Sequence, residues 1–200
     1  MAKKETKTSR EEIKLKAFKL MAKQGIKNIS MRHIAQACGV SKPVLYYSFK
    51  DKDDLLFQMV KERLVEVSAE INKGIKEDLS VAGLLHNLLA SHYIVKTDFK
   101  EISSFLLNLN IYVRGNKVLE QKLIKMQKQA NKNIYEILNS QYKKGRISKG
   151  SVETGYYLVL AVMSLLTMCA VDKSIKINKE ILNDISKAIL KGISFKGETK

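Results

Sequence analysis

Residues 30–50 of this 200-residue chain are SMRHIAQACGVSKPVLYYSFK. Ser30 is a residue type favoured at the start of a helix, and Gly39 can adopt the positive φ that ends one. Ser41 can begin a second helix at once, and Pro43 suits its first turn because no intrahelical donor is lost there. The stretch therefore predicts a short helix, a tight turn and a second short helix.

The second predicted helix has an apolar side and an outward side. Leu45 and Phe49 are four residues apart and so share the inward face. The outward residues are Lys42, Pro43, Val44, Tyr46 and Tyr47. Such a helix suits the major groove of DNA, where Lys can bond phosphates or guanine edges, Tyr hydroxyls can bond phosphates, and Pro or Val can touch thymine methyls. The alternative is an ordinary helical hairpin whose two tyrosines pack half-buried.

The composition favours an all-α fold of about nine helices. One proline, ten glycines, 45% hydrophobic and 28% charged residues argue against wholesale disorder and nearly exclude an all-β fold. A capping box at Ser9 and Glu12 predicts the first helix, which Gly25 ends, and Asp51 predicts a long helix to about residue 72. Further helices are expected near 80–95, 99–112, 117–143, 152–171 and 179–191. A small amino-terminal unit would thus join a larger helical bundle through the long helix.

The formal net charge of +16 is concentrated in two parts of the chain. Residues 1–50 carry 12 Lys and Arg against 3 acids, a balance of +9, and residues 101–150 carry 10 against 3, a balance of +7. A basic segment is typical of a phosphate-binding surface, because each neutralised phosphate releases condensed counterions. A solvated lysine-rich surface is the alternative.

The cysteines and the first residues indicate a cytoplasmic protein. Cys38 and Cys169 lie in separate apolar runs, which favours free thiols over a disulfide framework. Residues 1–8 are polar and basic, without the apolar segment of a secretory peptide. The uncharged run 154–171 reaches the length at which a membrane span is considered, but its Thr, Gly and Ser residues favour a buried helix.

Residues 13–56 closely resemble the DNA-binding domain of TetR/AcrR-type transcriptional regulators. The resemblance is carried, in order and spacing, by SMRHIA at 30–35, GVS at 39–41, LYYSFK at 45–50 and KDDL at 52–55. It implies a homodimer that binds a palindromic double-stranded DNA operator, mostly as a repressor, and leaves it when a small-molecule effector enters the carboxy-terminal bundle. The implied domains are a helix-turn-helix domain with its arm over residues 1–50 and an effector-binding and dimerisation domain over residues 51–200.

The resemblance also implies roles for single residues. Ser30 and Arg32 would contact the DNA backbone, with Arg32 near a base. The recognition surface would comprise Ser41, Lys42, Pro43, Val44, Tyr46 and Tyr47, and the phosphate-binding lysines would be Lys50 and Lys52. Pro43 and Val44 replace the Gly-Thr type pair common in the family, and His33 stands where an acid is frequent. The operator sequence therefore cannot be transferred from a relative.

The segment 84–112 is apolar with scattered polar groups, a composition typical of a small-molecule pocket, although plain core is the commoner explanation. The candidate pocket residues lie on helices that line the cavity in similar proteins: Tyr93, Phe105, Asn108, Tyr135 and Met163. Such a pocket suits a hydrophobic effector. His86 and His92 are six residues apart and point in different directions, so neither a metal site nor a cofactor is expected.

The apolar carboxy-terminal helices predict a dimer interface. The candidate residues are Tyr156, Leu160, Ile181, Ile185 and Ile189, which can pair with their copies around a two-fold axis. A two-fold dimer places two reading helices about 34–36 Å apart, one turn of DNA, or a small multiple of that distance.

Three other classes of function fit less well. An enzyme is disfavoured because the chain has no Gly-rich phosphate loop, no G-x-S-x-G, no H-E-x-x-H and no Cys/His cluster at ligand spacing. A sequence-independent DNA-coating protein would bind scrambled duplexes equally well. A protein attracted to membrane surfaces by its basic face would float with liposomes.

Overall fold

The computed structural model describes residues 9–76, 99–169 and 179–194, and these are helical without any strand. Eight α-helices occur in the described ranges, so the predicted all-α class is confirmed and the predicted number is close. The helices are α1 (Arg10–Gln24), α2 (Met31–Cys38), α3 (Lys42–Ser48), α4 (Lys52–Lys76), α5 (Phe99–Val113), α6 (Lys117–Lys143), α7 (Lys149–Cys169) and α8 (Lys179–Ser194), with a 3-10 turn at Ile26–Asn28. The helix predicted near 80–95 lies outside the described residues.

α1 begins and ends as its sequence predicts. The Ser9 hydroxyl accepts the N–H of Glu12 at 3.1 Å, and the Glu12 carboxylate accepts the N–H of Ser9 at 2.9 Å. These reciprocal bonds satisfy amides that the first helical turn leaves without partners. Gly25 ends the helix with a φ of +82°, and a Cβ there would lie 3.1 Å from the side-chain oxygen of Asn108. Glycine is therefore favoured at this position by both the backbone and the neighbouring side chain.

The ends of the later helices differ slightly from the predictions. α4 continues through Gly74 to Lys76, although an end or bend was expected at that glycine. α6 matches the predicted range 117–143. α7 begins at Lys149, three residues earlier than expected. The hydroxyl of Ser148, the residue before this helix, lies 2.6 Å from that of Ser151 in its first turn.

The chain packs as two compact units, each made from segments that are not adjacent in sequence. The first comprises residues 1–62 and 100–123, and the second comprises residues 63–99 and 124–200. The first unit thus contains α1 to α3, the first part of α4, almost all of α5 and the start of α6. The functional boundary after residue 50 stays a prediction, since packing groups the residues differently.

One apolar core holds the helices of the first unit together. Its side chains come from α1 to α6 and from the residues beside α2 and α3, and include Ile13, Ala17, Met21, Ile34, Leu45, Phe49, Leu55, Leu56, Phe105 and Leu109. The ring centroids of Phe18 and Phe105 lie 4.9 Å apart. Lys14 is also buried, and its ammonium is neutralised by Glu11 at 2.5 Å and by Glu62. The core therefore fixes α3 through its inward side chains and leaves the opposite face outside.

The second unit contains most of α6 together with α7 and α8. Its buried apolar residues include Ile134 and Leu138 of α6, Val159 of α7 and Ile189 of α8. The Tyr156 ring meets those of Tyr135 and Tyr157 edge-on, with centroids 6.0 and 5.2 Å apart. Among the helices described, none is long and apolar enough to cross a membrane.

Candidate nucleic-acid interface

A reciprocal cap between Ser30 and His33 begins α2. The Ser30 hydroxyl accepts the N–H of His33 at 3.3 Å, and Nδ1 of His33 accepts the N–H of Ser30 at 3.4 Å. Glu or Gln usually supplies the second acceptor of such a cap, and here a neutral imidazole nitrogen does so. Both residues and the neighbouring Arg32 are exposed. The first turn of α2 therefore presents a hydroxyl, an imidazole and a guanidinium to solvent.

The turn between α2 and α3 is as tight as predicted. Gly39 has a φ of +71°, and the N–H of Val40 donates to the carbonyl of Ala35 at 3.0 Å. Ser41 follows at the N-cap position of α3, but its hydroxyl makes no capping bond. Its exposed side chain is therefore open to an external acceptor or donor, and the predicted helix-turn-helix geometry is confirmed.

α3 has a buried side and a fully outward side. Phe49, just after the helix, is 1% exposed and Leu45 is buried with it, whereas Tyr46 is 51% and Tyr47 95% exposed. Lys42, Pro43 and Val44 are also exposed. The alternative of two half-buried tyrosines is wrong for Tyr47, whose ring has almost no protein contact.

A seven-residue helix is too short to be stable by itself, so α3 depends on its inward contacts. Leu45 and Phe49 supply most of these, and the guanidinium of Arg10 lies 5.0 Å from the centroid of the Phe49 ring. Exposed Val44, Tyr46 and Tyr47 add nothing comparable to folding. Because the opposite side of the helix is fixed in the core, these three side chains are placed to contact a partner outside the protein.

Lys50 and Lys52 have different surroundings. Lys50 is exposed, and only its backbone N–H is engaged among the described residues, donating to Asp54 at 3.0 Å. The Lys52 ammonium donates to the carbonyls of Ile26 at 3.0 Å and Ile29 at 2.9 Å. Burial lowers the pKa of Lys52, while the Asp53 carboxylate acts in the opposite direction. Of the two lysines predicted to bind phosphate, Lys50 is available and Lys52 is engaged internally.

The residues next to Lys52 form a polar network that the sequence did not reveal. Asp53 accepts a hydrogen bond from the Tyr112 hydroxyl at 2.8 Å and another from the Asn116 amide. The Lys52 ammonium lies 4.6 Å from the centroid of the Tyr112 ring. Burial raises the pKa of Tyr112 to about 12, and Asp53 adds to the rise. We call Lys52, Asp53, Tyr112 and Asn116 the α4–α5 junction.

The junction fastens the start of α4 to two other segments. Lys52 holds the segment that precedes α2, and Asp53 holds the end of α5 and the start of α6. The side-chain oxygen Oδ1 of Asn116 also accepts the N–H of Leu119, which caps α6. Tyr112 and Asn116 flank the break that is predicted near Gly115. That break was the only sequence signal for the junction, and it did not indicate Asp53 as the partner of these two residues.

The predicted pocket residues lie in several environments. Phe105 is buried in the core of the first unit, and the Asn108 amide donates to the carbonyl of Ser104 at 2.8 Å. Tyr135 belongs to the second unit, where its exposed ring meets Tyr156. Tyr93 and the two histidines at 86 and 92 lie outside the described residues, as does the side chain of Met163. Phe105 and Asn108 thus have structural contacts of their own.

The predicted interface residues differ in how accessible they are. Ile181 is exposed, whereas Tyr156, Leu160 and Ile185 are partly buried. Ile189 is 5% exposed and so already belongs to the core of the second unit. Two residues that were not predicted, Tyr157 and Leu165 on α7, expose more apolar surface than any of these.

The amino-terminal part of the chain is similar to known regulators in sequence. Residues 15–59 match the family described as bacterial regulatory proteins, tetR family. Over 75 residues, the chain is 37% identical to an HTH-type transcriptional regulator of Staphylococcus aureus strain USA300. That alignment covers 38% of this chain and 40% of the relative, so the chain spans less than half the length of the curated relatives it matches.

The fold is similar to solved structures over nearly the whole chain. A TetR-family transcriptional regulator from Thermus thermophilus has a TM-score of 0.68 at 21% identity, with 96% of this chain and 98% of that chain covered. The fatty acid degradation regulator from Bacillus halodurans has a TM-score of 0.67 at 19% identity and covers 100% of both chains. The ketosteroid transcriptional regulator of Mycobacterium tuberculosis has a TM-score of 0.69 at 15% identity, covering 94% of this chain and 95% of that one. At these identities the likeness shows the fold alone.

Proposed function

The chain carries an amino-terminal helix-turn-helix domain of the TetR family of bacterial regulatory proteins, and from that premise we propose that it regulates transcription as an operator-binding repressor. The observation that carries this proposal is the outward face of α3, where Lys42, Tyr46 and Tyr47 project from a helix fixed by its opposite side. A helix of this kind fits the major groove, which is about 12 Å wide.

The residues of the helix-turn-helix divide into those that read bases and those that hold the backbone. Pro43 and Val44 contact thymine methyls, and Lys42 bonds a base edge or phosphate, as their exposure allows. Backbone contacts come from exposed hydroxyls and cations on α2 and α3 and beside them: Ser30, Arg32, Ser41, Tyr46, Tyr47 and Lys50. Lys52 serves the site indirectly, because its ammonium fixes the segment that leads into α2.

The test is to select bound duplexes from a random pool at several salt concentrations. Wild-type protein should enrich one palindromic sequence. Lys50→Ala should weaken binding to all sequences and lower the salt slope by about one unit per protomer, because each protomer loses one phosphate contact. Lys42→Ala or Val44→Ala should instead change which bases are enriched.

Lys125→Ala is the matched control, since this exposed lysine lies on α6 in the second unit. It should leave both the selected sequence and the salt slope unchanged. Equal affinity for scrambled duplexes would contradict the proposal and favour sequence-independent coating of DNA. Binding to anionic vesicles without any duplex binding would favour a membrane-surface protein instead.

A palindromic operator requires a homodimer, and α7 and α8 offer a surface for it. Tyr157 is 60% exposed and Leu165 58%, so α7 carries apolar surface that pairing with a second copy would bury. Together with Ile181 and the edges of Tyr156, Leu160 and Ile185, they suit a two-fold interface. Sedimentation should show a dimer for the wild type and a monomer for Tyr157→Glu, with operator affinity falling in parallel. A wild-type monomer at micromolar concentration would contradict this step.

The proposed effector is a small hydrophobic molecule that releases the operator. One protein of similar fold is named as a fatty acid degradation regulator and another as a ketosteroid transcriptional regulator. These names support an apolar ligand class. A ligand shifts the equilibrium only if it binds the DNA-free conformation more tightly. Operator affinity should therefore fall when a long-chain fatty acid or a steroid is bound. Binding of either probe with no change in operator affinity would contradict release by that class.

A further inference from the structure

A row of lysines on α1 is not used by the site described above. Lys16, Lys19 and Lys23 are all exposed, and their spacing of three and four residues places them on one side of the helix. Ile13, Ala17 and Met21 occupy the opposite, buried side. We call these three lysines the α1 lysine row. They belong to the basic first quarter of the chain but lie before the helix-turn-helix.

Among the described residues, the three lysines of the row outnumber the acid on their side of α1, Glu12, so the row keeps a net positive charge. No ion pair or hydrogen bond engages the ammonium groups of Lys16, Lys19 and Lys23 there. Glu12 shares their side of α1, but its carboxylate is bonded to the N–H of Ser9. Like charges three and four residues apart on a helix destabilise it by about 0.2–0.5 kcal/mol per pair. The row thus opposes folding slightly, as expected of a surface that a polyanion neutralises.

The row lies beside the helix-turn-helix. α1 packs against α2 in the core of the first unit, where Ala17 and Met21 lie in the same buried cluster as Ile34 and Cys38. Cys38 directly precedes the Gly39 turn into α3. Lys16 to Lys23 extend about 10 Å along α1 at 1.5 Å per residue. Four successive phosphates of one DNA strand rise over a similar length, since the three steps between them are about 3.4 Å each.

We propose that the α1 lysine row is a second phosphate-binding surface, which contacts the duplex backbone outside the bases that α3 reads. The inference rests on the proposed function and adds a partner surface to it. Continuity with the helix-turn-helix and the density of unpaired cations favour DNA over an acidic protein. The row supplies affinity and salt dependence but no sequence information, because phosphates are the same at every base pair.

The test compares two duplexes that share the selected operator. One ends at the operator, and the other extends about one helical turn, or ten base pairs, beyond it on each side. The wild type should bind the long duplex more tightly and with a steeper salt slope. The variant Lys16→Gln/Lys19→Gln/Lys23→Gln should lose that difference, with a slope lower by up to about 2.7 per protomer if each lysine neutralises one phosphate. Its binding to the short duplex and its selected sequence should not change.

The control variant Lys125→Gln/Lys128→Gln removes two exposed lysines from α6 and should keep the wild-type difference. Lys and Gln have similar helix propensities, and circular dichroism melting checks that α1 remains folded. An unchanged salt slope of the triple variant on the long duplex would overturn the inference. The inference would also be overturned if the wild type bound anionic phospholipid vesicles, the triple variant did not, and the two proteins bound DNA equally well. A wild type without any sequence preference would refute the proposed function instead, and the slope on a random long duplex would still test the row.

Discussion

The outward face of α3 and the α4–α5 junction belong to the same compact unit and are built in opposite ways. On α3, the side chains of Lys42, Tyr46 and Tyr47 have no hydrogen-bond partner among the described residues, and Tyr47 is almost fully exposed. In the junction, Lys52 and Asp53 each make two hydrogen bonds to neighbouring segments. A surface that binds an external partner leaves its polar groups without internal hydrogen bonds, whereas a surface that holds the fold together uses its polar groups in such bonds.

Sequence distance does not distinguish these two kinds of surface. Lys50 and Lys52 are two residues apart and are both lysines after a Tyr-rich helix, yet only Lys50 is exposed. The separation comes from the start of α4, which turns Lys52 toward the carbonyls of Ile26 and Ile29. If this comparison is right, substitutions on the outward face of α3 should change operator binding, and substitutions in the α4–α5 junction should change the free energy of unfolding.

The largest difference is expected between Phe49→Ala and Tyr47→Ala. Removing the buried Phe49 ring should lower the free energy of unfolding by about 3–5 kcal/mol, because a cavity replaces well-packed apolar contacts. Removing the exposed Tyr47 ring should change the free energy of unfolding by less than about 0.5 kcal/mol. Urea unfolding measures both values.

Operator binding by the folded protein should depend more on Tyr47 than on Phe49. Tyr47→Ala should weaken operator binding at full stability, whereas Phe49→Ala should lose binding only in proportion to its unfolded fraction. A large loss of stability in Tyr47→Ala would mean that α3 does not depend mainly on its inward face. A conservative Phe49→Leu variant tests the same contrast with less risk of complete unfolding.

An intermediate effect is expected from Asp53→Ala in the junction. The change leaves the Tyr112 hydroxyl and the Asn116 amide without their acceptor, and both groups are only partly able to reach water. The free energy of unfolding should fall by about 2 kcal/mol, since bonds to a charged acceptor are worth more than neutral ones. Glu66 is an exposed acid whose partner among the described residues is Arg63 on the same helix, and Glu66→Ala should cost less than about 0.5 kcal/mol.

The base preference of selected duplexes should not change in Asp53→Ala, because the outward face of α3 is untouched. A changed preference at normal stability would show that Asp53 contacts DNA or alters α3 directly. That result would contradict the division between a reading surface and a positioning junction.

The amino-terminal fold could be predicted because its signals are local. Ser9, Ser30, Gly39 and Pro43 act on the backbone within a few residues, and the spacing of Leu45 and Phe49 defines a face. The junction could not be predicted, because Asp53 and Tyr112 are 59 residues apart and meet only through the packing of α5.

The pocket prediction was limited for the same reason, because it too depended on how the helices pack. An apolar segment with polar residues is typical of both a cavity and a core, and only packing separates them. Phe105 belongs to the core of the first unit, and Asn108 lies beside Gly25. The exposed Tyr157 and Leu165 could not be identified either, since every large residue of the uncharged run looks equally buried in sequence.

The smallest effect is expected in the pH dependence of stability that Tyr112 contributes. Its pKa is raised from 10 to about 12 in the folded protein. Below pH 10 the phenol is protonated in both states, and its contribution is present in full. Between those values the unfolded chain loses the proton while the folded protein keeps it, so the free energy of unfolding falls as pH rises. The effect is modest because Tyr112 is partly exposed and solvent screens the Asp53 charge.

Urea unfolding of the wild type and Tyr112→Phe at a series of pH values from about 8 to 12 isolates this contribution. Lysine titrations occur in both proteins and largely cancel in the difference. The stability advantage of the wild type should be constant up to about pH 10 and then shrink toward pH 12. Tyr47→Phe is the matched control, because that hydroxyl is exposed and makes no hydrogen bond to the described residues. An advantage that stayed constant to pH 12 would mean that the hydroxyl of Tyr112 is not held by Asp53, and the junction would then lack one of the bonds that set it apart from α3.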